Sequence, residues 1–281
     1  MNLRVATDSA SDYSQEEARA LGIDVIPLGI TVDGELYLDG IDMSKDLFYD
    51  LLINKKKFPK TSQPTQQQFI ELFEDAKNKN QTLLYISLAS GLSGTYQGAL
   101  MAKETVGYDN IYVVDGGTLV AGQQILVELA LKLDKEGKSI DEIIERINNV
   151  KKRIVILACM NTLEYVKRGG RGGKIFSFLG NLINIKPIIT FNEKGGADIL
   201  AKPFGQTRGR VALIKEMDAH KRDKDYPIYY YYSYNKANLD EFVDRLKKLN
   251  KYDEGKTVNL SPAVGCHIGD NAYAVCYAME E

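Results

Sequence analysis

The chain has 281 residues, 44% of them hydrophobic and 26% charged, with 36 basic against 38 acidic side chains and a formal net charge of −2. That length suits two domains with separate cores, and the charge balance argues against nucleic acid as a partner: Lys55-Lys56-Lys57 and Lys151-Lys152-Arg153 are short runs that read as solvated element ends. Cys159, Cys266 and Cys276 show no C-x-x-C spacing and cannot all pair, which argues against a zinc site or a disulfide framework and for a reducing, cytoplasmic location; no signal peptide and no apolar stretch of about 18 residues is present.

In chain order, Leu3 to Ala6 predicts a strand, Ser14 a helix start, and Ile23 to Val32 a second strand. Asp33-Gly34-Glu35, between Ile30-Thr31-Val32 and Leu36-Tyr37-Leu38, has the form of a hairpin turn. Thr65-Gln66-Gln67-Gln68 has a capping-box form ahead of Phe69, Leu72 and Phe73, and Ser139-Ile140-Asp141-Glu142 repeats it ahead of Ile143, Ile144 and Ile147. Thr82 to Leu88 and Ile111 to Val114 are short β runs. This alternation predicts an α/β domain over residues 1–150, with a mainly parallel sheet and helices on both faces. From Lys151 the texture changes to strands at Arg153 to Ala158, Lys186 to Phe191, Ile228 to Tyr234 and Ala272 to Tyr277, with helices near Arg208 to Ala219 and Leu239 to Leu249. Residues 151–281 are therefore expected to form an α+β domain.

Two hydroxyl-rich loops carry the strongest functional signal: Thr61-Ser62-Gln63-Pro64-Thr65 and Ser90-Gly91-Leu92-Ser93-Gly94-Thr95-Tyr96. Each stands where a strand or linker hands over to a helix. Exposed N–H groups, the helix dipole and small side chains favour a carboxylate or phosphate there, and hydroxyls can donate to it without adding a charge. In a parallel sheet the second loop falls at the carboxyl end of its strand, where ligands bind.

Other motifs are weaker. Gly91-Leu92-Ser93-Gly94-Thr95 begins like a nucleophile elbow but has Thr95 where glycine is required, and a serine hydrolase would need His267 as base, since His220 lies in a charged run. An acyl hydrolase using Ser93 and His267 is the alternative reading. Gly169 to Lys174 fails as a Walker loop, with Arg168 and Ile175 at two required positions; it reads as an interdomain turn or as a ligand-gating segment through Arg171. Thr7-Asp8-Ser9-Ala10-Ser11-Asp12 suits turn or cap duty better than metal binding. His267, between Gly265 and Gly269, is either a packing histidine or one whose ring faces a cleft. Ile175, Phe178, Leu179, Leu182 and Ile183 share one helical face, read as core or as a pocket wall.

Thr7-Asp8-Ser9, Lys60-Thr61-Ser62-Gln63-Pro64-Thr65, Ser90 to Tyr96, Lys167-Arg168-Gly169-Gly170-Arg171 and a late Gly-x-His-x-Gly together resemble the DegV family, in order and over nearly the full chain. The resemblance implies a two-domain fatty-acid carrier rather than an enzyme, with the acyl chain in a tunnel at the domain junction and no cofactor or metal. Its ligand would be a long-chain fatty acid such as palmitate, with at most transient contact with a membrane surface. Some family members present the fatty acid to a separate fatty acid kinase. Carried over residue by residue, the carboxylate ligands fall on Thr61 and Ser93, with His267 close by and Arg171 near the junction; beside them, backbone N–H groups near Gly94 and Ser62 are expected to assist, and Thr95 is expected to line the same ligand site. The chain departs from the family pattern at Gly269-Asp270-Asn271, where a Gly-Pro-Gly turn is usual, and at Gly116-Gly117, where serine commonly follows the aspartate.

Overall fold

The computed structural model describes residues 2–170, 184–192 and 196–281. Arg171 and the helical face from Ile175 to Ile183 lie outside these residues. The chain divides into two units, Met1–Ser44 with Thr61–Lys152 and Lys45–Lys60 with Arg153–Glu281.

In the first unit, β1 (Leu3–Asp8) leads through a short 3-10 turn to α1 (Gln15–Leu21) and β2 (Asp24–Ile26). Ser14 caps α1 in a capping box with Glu17, as its position predicts. The expected strand from Ile23 to Val32 is two strands. Pro27 has no N–H to donate, so the ladder with β1 stops at Ile26, and β3 (Gly29–Val32) joins a different sheet. There it pairs antiparallel with β4 (Glu35–Leu38), register Val32 to Glu35. The two turn residues, Asp33 and Gly34, take φ of +52° and +92°, which is the left-handed backbone that Asp-Gly supplies in two-residue hairpins.

α2 (Lys45–Tyr49) belongs to the second unit, and β5 (Lys60–Ser62) returns the chain to the edge of the β3–β4 sheet. α3 (Gln66–Asn78) opens with the Thr65–Gln68 capping box. Next come β6 (Thr82–Ser87), α4 (Thr95–Val106), β7 (Ile111–Asp115), α5 (Ala121–Lys135) and α6 (Ile140–Val150), the last opened by the Ser139–Glu142 capping box. The main sheet runs β2-β1-β6-β7, all parallel. Leu83 to Ile86 are fully buried on both faces of β6, which is why that strand reads as a continuous apolar run rather than an alternating one. On one face Tyr85 packs edge-on against Phe69 of α3, 5.5 Å between ring centroids.

The second unit contains β8 (Ile154–Cys159), α7 (Glu164–Arg168), β9 (Ile188–Phe191), β10 (Ala197–Ala201), α8 (Gly205–Asp218), β11 (Tyr229–Tyr232), α9 (Ala237–Lys248), β12 (Lys256–Asn259), α10 (Pro262–Ile268) and β13 (Tyr273–Ala278). Its six-stranded sheet runs β10-β9-β8-β13-β11-β12, antiparallel except for the β11–β12 pair. The tyrosine run is one strand of this sheet. Leu213, Tyr230, Leu239, Phe242, Tyr273 and Val275 fill the core beneath it. Lys45–Lys60 joins this unit because Phe48, Tyr49 and Leu52 are buried there: Phe48 lies against Gly265 of α10 and Tyr49 against Tyr234, 5.7 Å between ring centroids.

Candidate functional site

At the carboxyl ends of β1, β6 and β7 the first unit gathers polar side chains around three loops. Asp8, the last residue of β1, is fully buried. Its Oδ2 accepts from Leu88 N–H at 2.8 Å and from Tyr85 Oη–H at 3.1 Å, and its Oδ1 from Ala10 N–H at 3.2 Å and Gln123 Nε2 at 3.3 Å. Burial pushes its pKa up to about 6, against those hydrogen bonds, which favour the carboxylate. Asp115, the last residue of β7, accepts from Ser90 N–H at 3.1 Å, from Ser90 Oγ at 2.5 Å and from Gly117 N–H at 2.9 Å.

Ser93 follows this loop, half-buried at the threshold of α4. Gly94, the N-cap residue, has no side chain with which to cap the helix; Ser93 Oγ instead accepts Thr95 N–H at 3.3 Å and lies 2.8 Å from Thr95 Oγ1. Two hydroxyls thus share one hydrogen bond at a helix start, and the hydroxyl that accepts within the pair keeps its own proton to donate to an anion. The Thr61 to Thr65 segment meets this helix start through Gln63, whose amide occupies the space that a Cβ on Gly94 would take. Gln63 also sits 3.4 Å from the Cβ position of Gly98, one turn further along α4, while Gln66 Nε2 donates to Gly98 O at 3.1 Å. Thr61, half-buried, and Ser62, exposed, end β5, and the Ser62 hydroxyl fills the Cβ position of Gly29. Ser93, Gly94, Thr95 and the segment bearing Thr61 and Ser62 are therefore brought together within one unit.

The backbone at Ser93 is not that of a nucleophile elbow. Five residues, 88–92, separate it from the end of β6, and it is absent from the left-handed positions of the chain. A strained strand-to-helix turn does exist, after β7: Val120, at φ 47° and ψ −129°, precedes α5. A valine there has no nucleophile to present.

His267 lies in the second unit, on α10, amid close packing. Gly265 meets the Phe48 ring, 2.6 Å from its Cβ position to Cε1, and Gly269, at φ +76°, lets the Tyr165 ring occupy its Cβ position. The third contact is from Gly169, the first glycine of the Gly-rich stretch, whose Cβ position is filled by the His267 imidazole. Both motif glycines and Gly169 therefore have a packing reason. Beside them the Arg168 guanidinium stacks on Phe58, 3.7 Å from the ring centroid. Arg171 lies outside the described residues.

Sequence reasoning passed over Asp8 as a cap, and Gln63, Gln123 and the whole of α5 as unremarked. The signal for α5 was its composition, rich in Leu, Ala, Gln and Lys, without the usual single apolar stripe because its first three turns are almost wholly buried. Elsewhere the chemistry is sparse. The three cysteines are free and buried, with burial pushing the Cys159 thiol up to about 11. No metal-holding group of His, Cys, Asp or Glu occurs among the described residues, and no helix among them is long and apolar enough to cross a membrane. A crevice of about 260 Å³ between α8 and α9 is lined by Thr207, Arg210, Glu241, Asp244, Arg245 and Lys248, a charged lining unsuited to an acyl chain.

The DegV family model, described as an uncharacterised protein of the DegV family, matches residues 2–280. A DegV domain-containing protein of Caldanaerobacter subterraneus is 31% identical over 273 residues, 96% of this chain and 95% of its own. Among solved structures, the fatty acid binding DegV family protein from Streptococcus agalactiae superposes with a TM-score of 0.89 at 27% identity, covering 100% of both chains. A DegV family protein from Thermus thermophilus, described by its fatty acid binding, superposes at 0.87 with 26% identity over 99% of this chain and 100% of its own. The chain belongs to the DegV family.

Proposed function

We propose that this chain binds a long-chain fatty acid non-covalently, burying the acyl chain and holding the carboxylate through Ser93 and Thr61. The observation that carries the reading is the Ser93–Thr95 hydroxyl pair at the start of α4, in a chain that matches fatty-acid-binding DegV structures along its whole length. At about 0.8 kcal/mol per buried CH₂, some fifteen methylenes offer on the order of 12 kcal/mol before the costs of association. The tail supplies affinity, and the hydroxyls set orientation, since a carboxylate left unpaired at depth is heavily penalised. Backbone N–H groups near Gly94 and Ser62 assist. His267 and Arg171 enter only as the family resemblance implies.

Presentation of the fatty acid to a kinase, which rests on that resemblance alone, and a cytoplasmic setting, which rests on the unpaired cysteines, complete the proposal. The hydrolase alternative is disfavoured by the ordinary backbone at Ser93 and the five-residue spacer before it.

Mass spectrometry of lipid extracted from the native protein should find a fatty acid in about equal molar amount, and Ser93→Ala should weaken its binding by about 1.5–3 kcal/mol. Protein that carries no lipid and binds none added would overturn the reading. Unchanged affinity in Ser93→Ala would remove Ser93 from the head-group site.

A further inference from the structure

The loop that delivers Ser93 is gripped from both sides by carboxylates. β6 lies between β1 and β7, and each neighbour ends in an aspartate. Asp8 takes Leu88 N–H and Asp115 takes Ser90 N–H, while the residue between them, Ala89, donates its N–H to Thr118 O at 2.8 Å. Leu92 N–H then turns back to Ala89 O at 3.0 Å. Three consecutive backbone N–H groups are thus tied down just before the chain reaches Ser93, two to the aspartates that end the flanking strands and one to the loop that follows β7.

We propose that Asp8 and Asp115 are positioning residues for carboxylate recognition: by clamping residues 88–90 they fix the path of the loop and hold Ser93 Oγ where a fatty-acid head group can use it. The inference rests on Ser93 being a head-group ligand, as read above.

Both carboxylates are met by donors and serve them as acceptors. Asp8 faces two backbone donors that cannot reverse, Leu88 N–H and Ala10 N–H, together with the Gln123 Nε2 amide and Tyr85, whose hydroxyl is the one titratable partner among its described hydrogen bonds. Asp115 faces two such donors, Ser90 N–H and Gly117 N–H, and the Ser90 hydroxyl. An asparagine keeps the shape of either side chain and turns an NH₂ toward donors. The strand-end aspartates are therefore matched in chemistry although one is fully buried and the other half-buried. A carboxylate placed only to cap its own turn would need no bond to the neighbouring loop; each of these makes one.

The test compares binding of stearic acid and methyl stearate by the full chain and its Ser93→Ala, Asp8→Asn and Asp115→Asn variants. The ester keeps the chain and removes the charge, so a variant that only loosens the fold weakens both ligands alike. A variant that misplaces Ser93 lowers the preference for the acid. Asp8→Asn and Asp115→Asn are each expected to reduce the acid-to-ester affinity ratio at least fivefold, toward the ratio of Ser93→Ala. If Ser93→Ala lowers the ratio and the two asparagine variants, folded by thermal unfolding, keep the wild-type ratio, the clamp is refuted while the head-group reading stands. If Ser93→Ala itself leaves the ratio unchanged, the head-group reading fails and the clamp with it. Should Asp8→Asn not fold, Asp115→Asn decides the outcome alone.

Discussion

The two units hold their motif residues by different physics. In the first, Ser93 ends a loop fixed by hydrogen bonds: Leu88 to Asp8, Ala89 to Thr118, Ser90 to Asp115, and Thr95 N–H to Ser93 itself. In the second, close packing surrounds His267, with glycines at 169, 265 and 269 giving their Cβ space to the imidazole, Phe48 and Tyr165. Hydrogen bonds specify direction; close packing specifies position. Substitutions that act on one mode and spare the other make this contrast measurable.

The largest effect is expected at Gly269. Its backbone, at φ 76° and ψ −148°, lies where only glycine is comfortable, which makes a side chain there cost about 1–3 kcal/mol. The added methyl would also meet the Tyr165 ring, and overpacking of that kind costs a further 1–3 kcal/mol or so. Gly269→Ala should therefore lower the free energy of unfolding in urea by about 4 kcal/mol, whereas Ser93→Ala, at a half-buried hydroxyl, should lower it by about 1 kcal/mol or less. A loss at Gly269 no larger than that at Ser93 would remove the steric half of the contrast.

The polar half is tested by pH. Folding raises the Asp8 pKa from 3.8 to about 6. The folded chain then keeps a proton that the unfolded chain has released, so between those values stability falls as pH rises, by about 3 kcal/mol in all. Asp8→Asn has no such proton to lose. Because other carboxylates titrate in the same range, the quantity to measure is the stability of the wild type minus that of the variant, which should decline from pH 4 to pH 6 and level off above about pH 7. A difference that stays flat across this range would show that Asp8 is ionised throughout.

The same contrast explains what the sequence disclosed. The hydroxyl loops were legible as helix starts because Ser and Thr there serve the unpaired N–H groups, and the helix start at Ser14 and the capping boxes at Thr65 and Ser139 were legible for the same reason. Asp33-Gly34 announced its turn through the backbone it permits. The strand break at Pro27 was also written locally, but the apolar run around it masked the missing N–H. By contrast, the partners of Gly265 and Gly169 stand far off in sequence: Phe48 is over 200 residues from the first, and His267 about 100 from the second. No local pattern encodes such a contact. Asp8 was legible as a turn residue but not as a clamp, since its partner Leu88 becomes a neighbour only when β1 and β6 pair.

Gly169 gives the smallest and most selective prediction. Its backbone is ordinary, at φ −75° and ψ −10°, so an alanine there carries no conformational strain. The nearest atoms the new methyl would meet are those of the His267 ring, a side chain able to swing aside, and the loss of stability should be about 1 kcal/mol. The displacement itself should be plain in the imidazole resonances of His267, with those of His220 left in place as an internal control. If the His267 signals also stay where they are, the loop moves instead of the ring, and Gly169 does not set the position of the histidine. If they move while the preference for stearic acid over its ester is kept, the second unit seats His267 for a purpose other than reading the carboxylate.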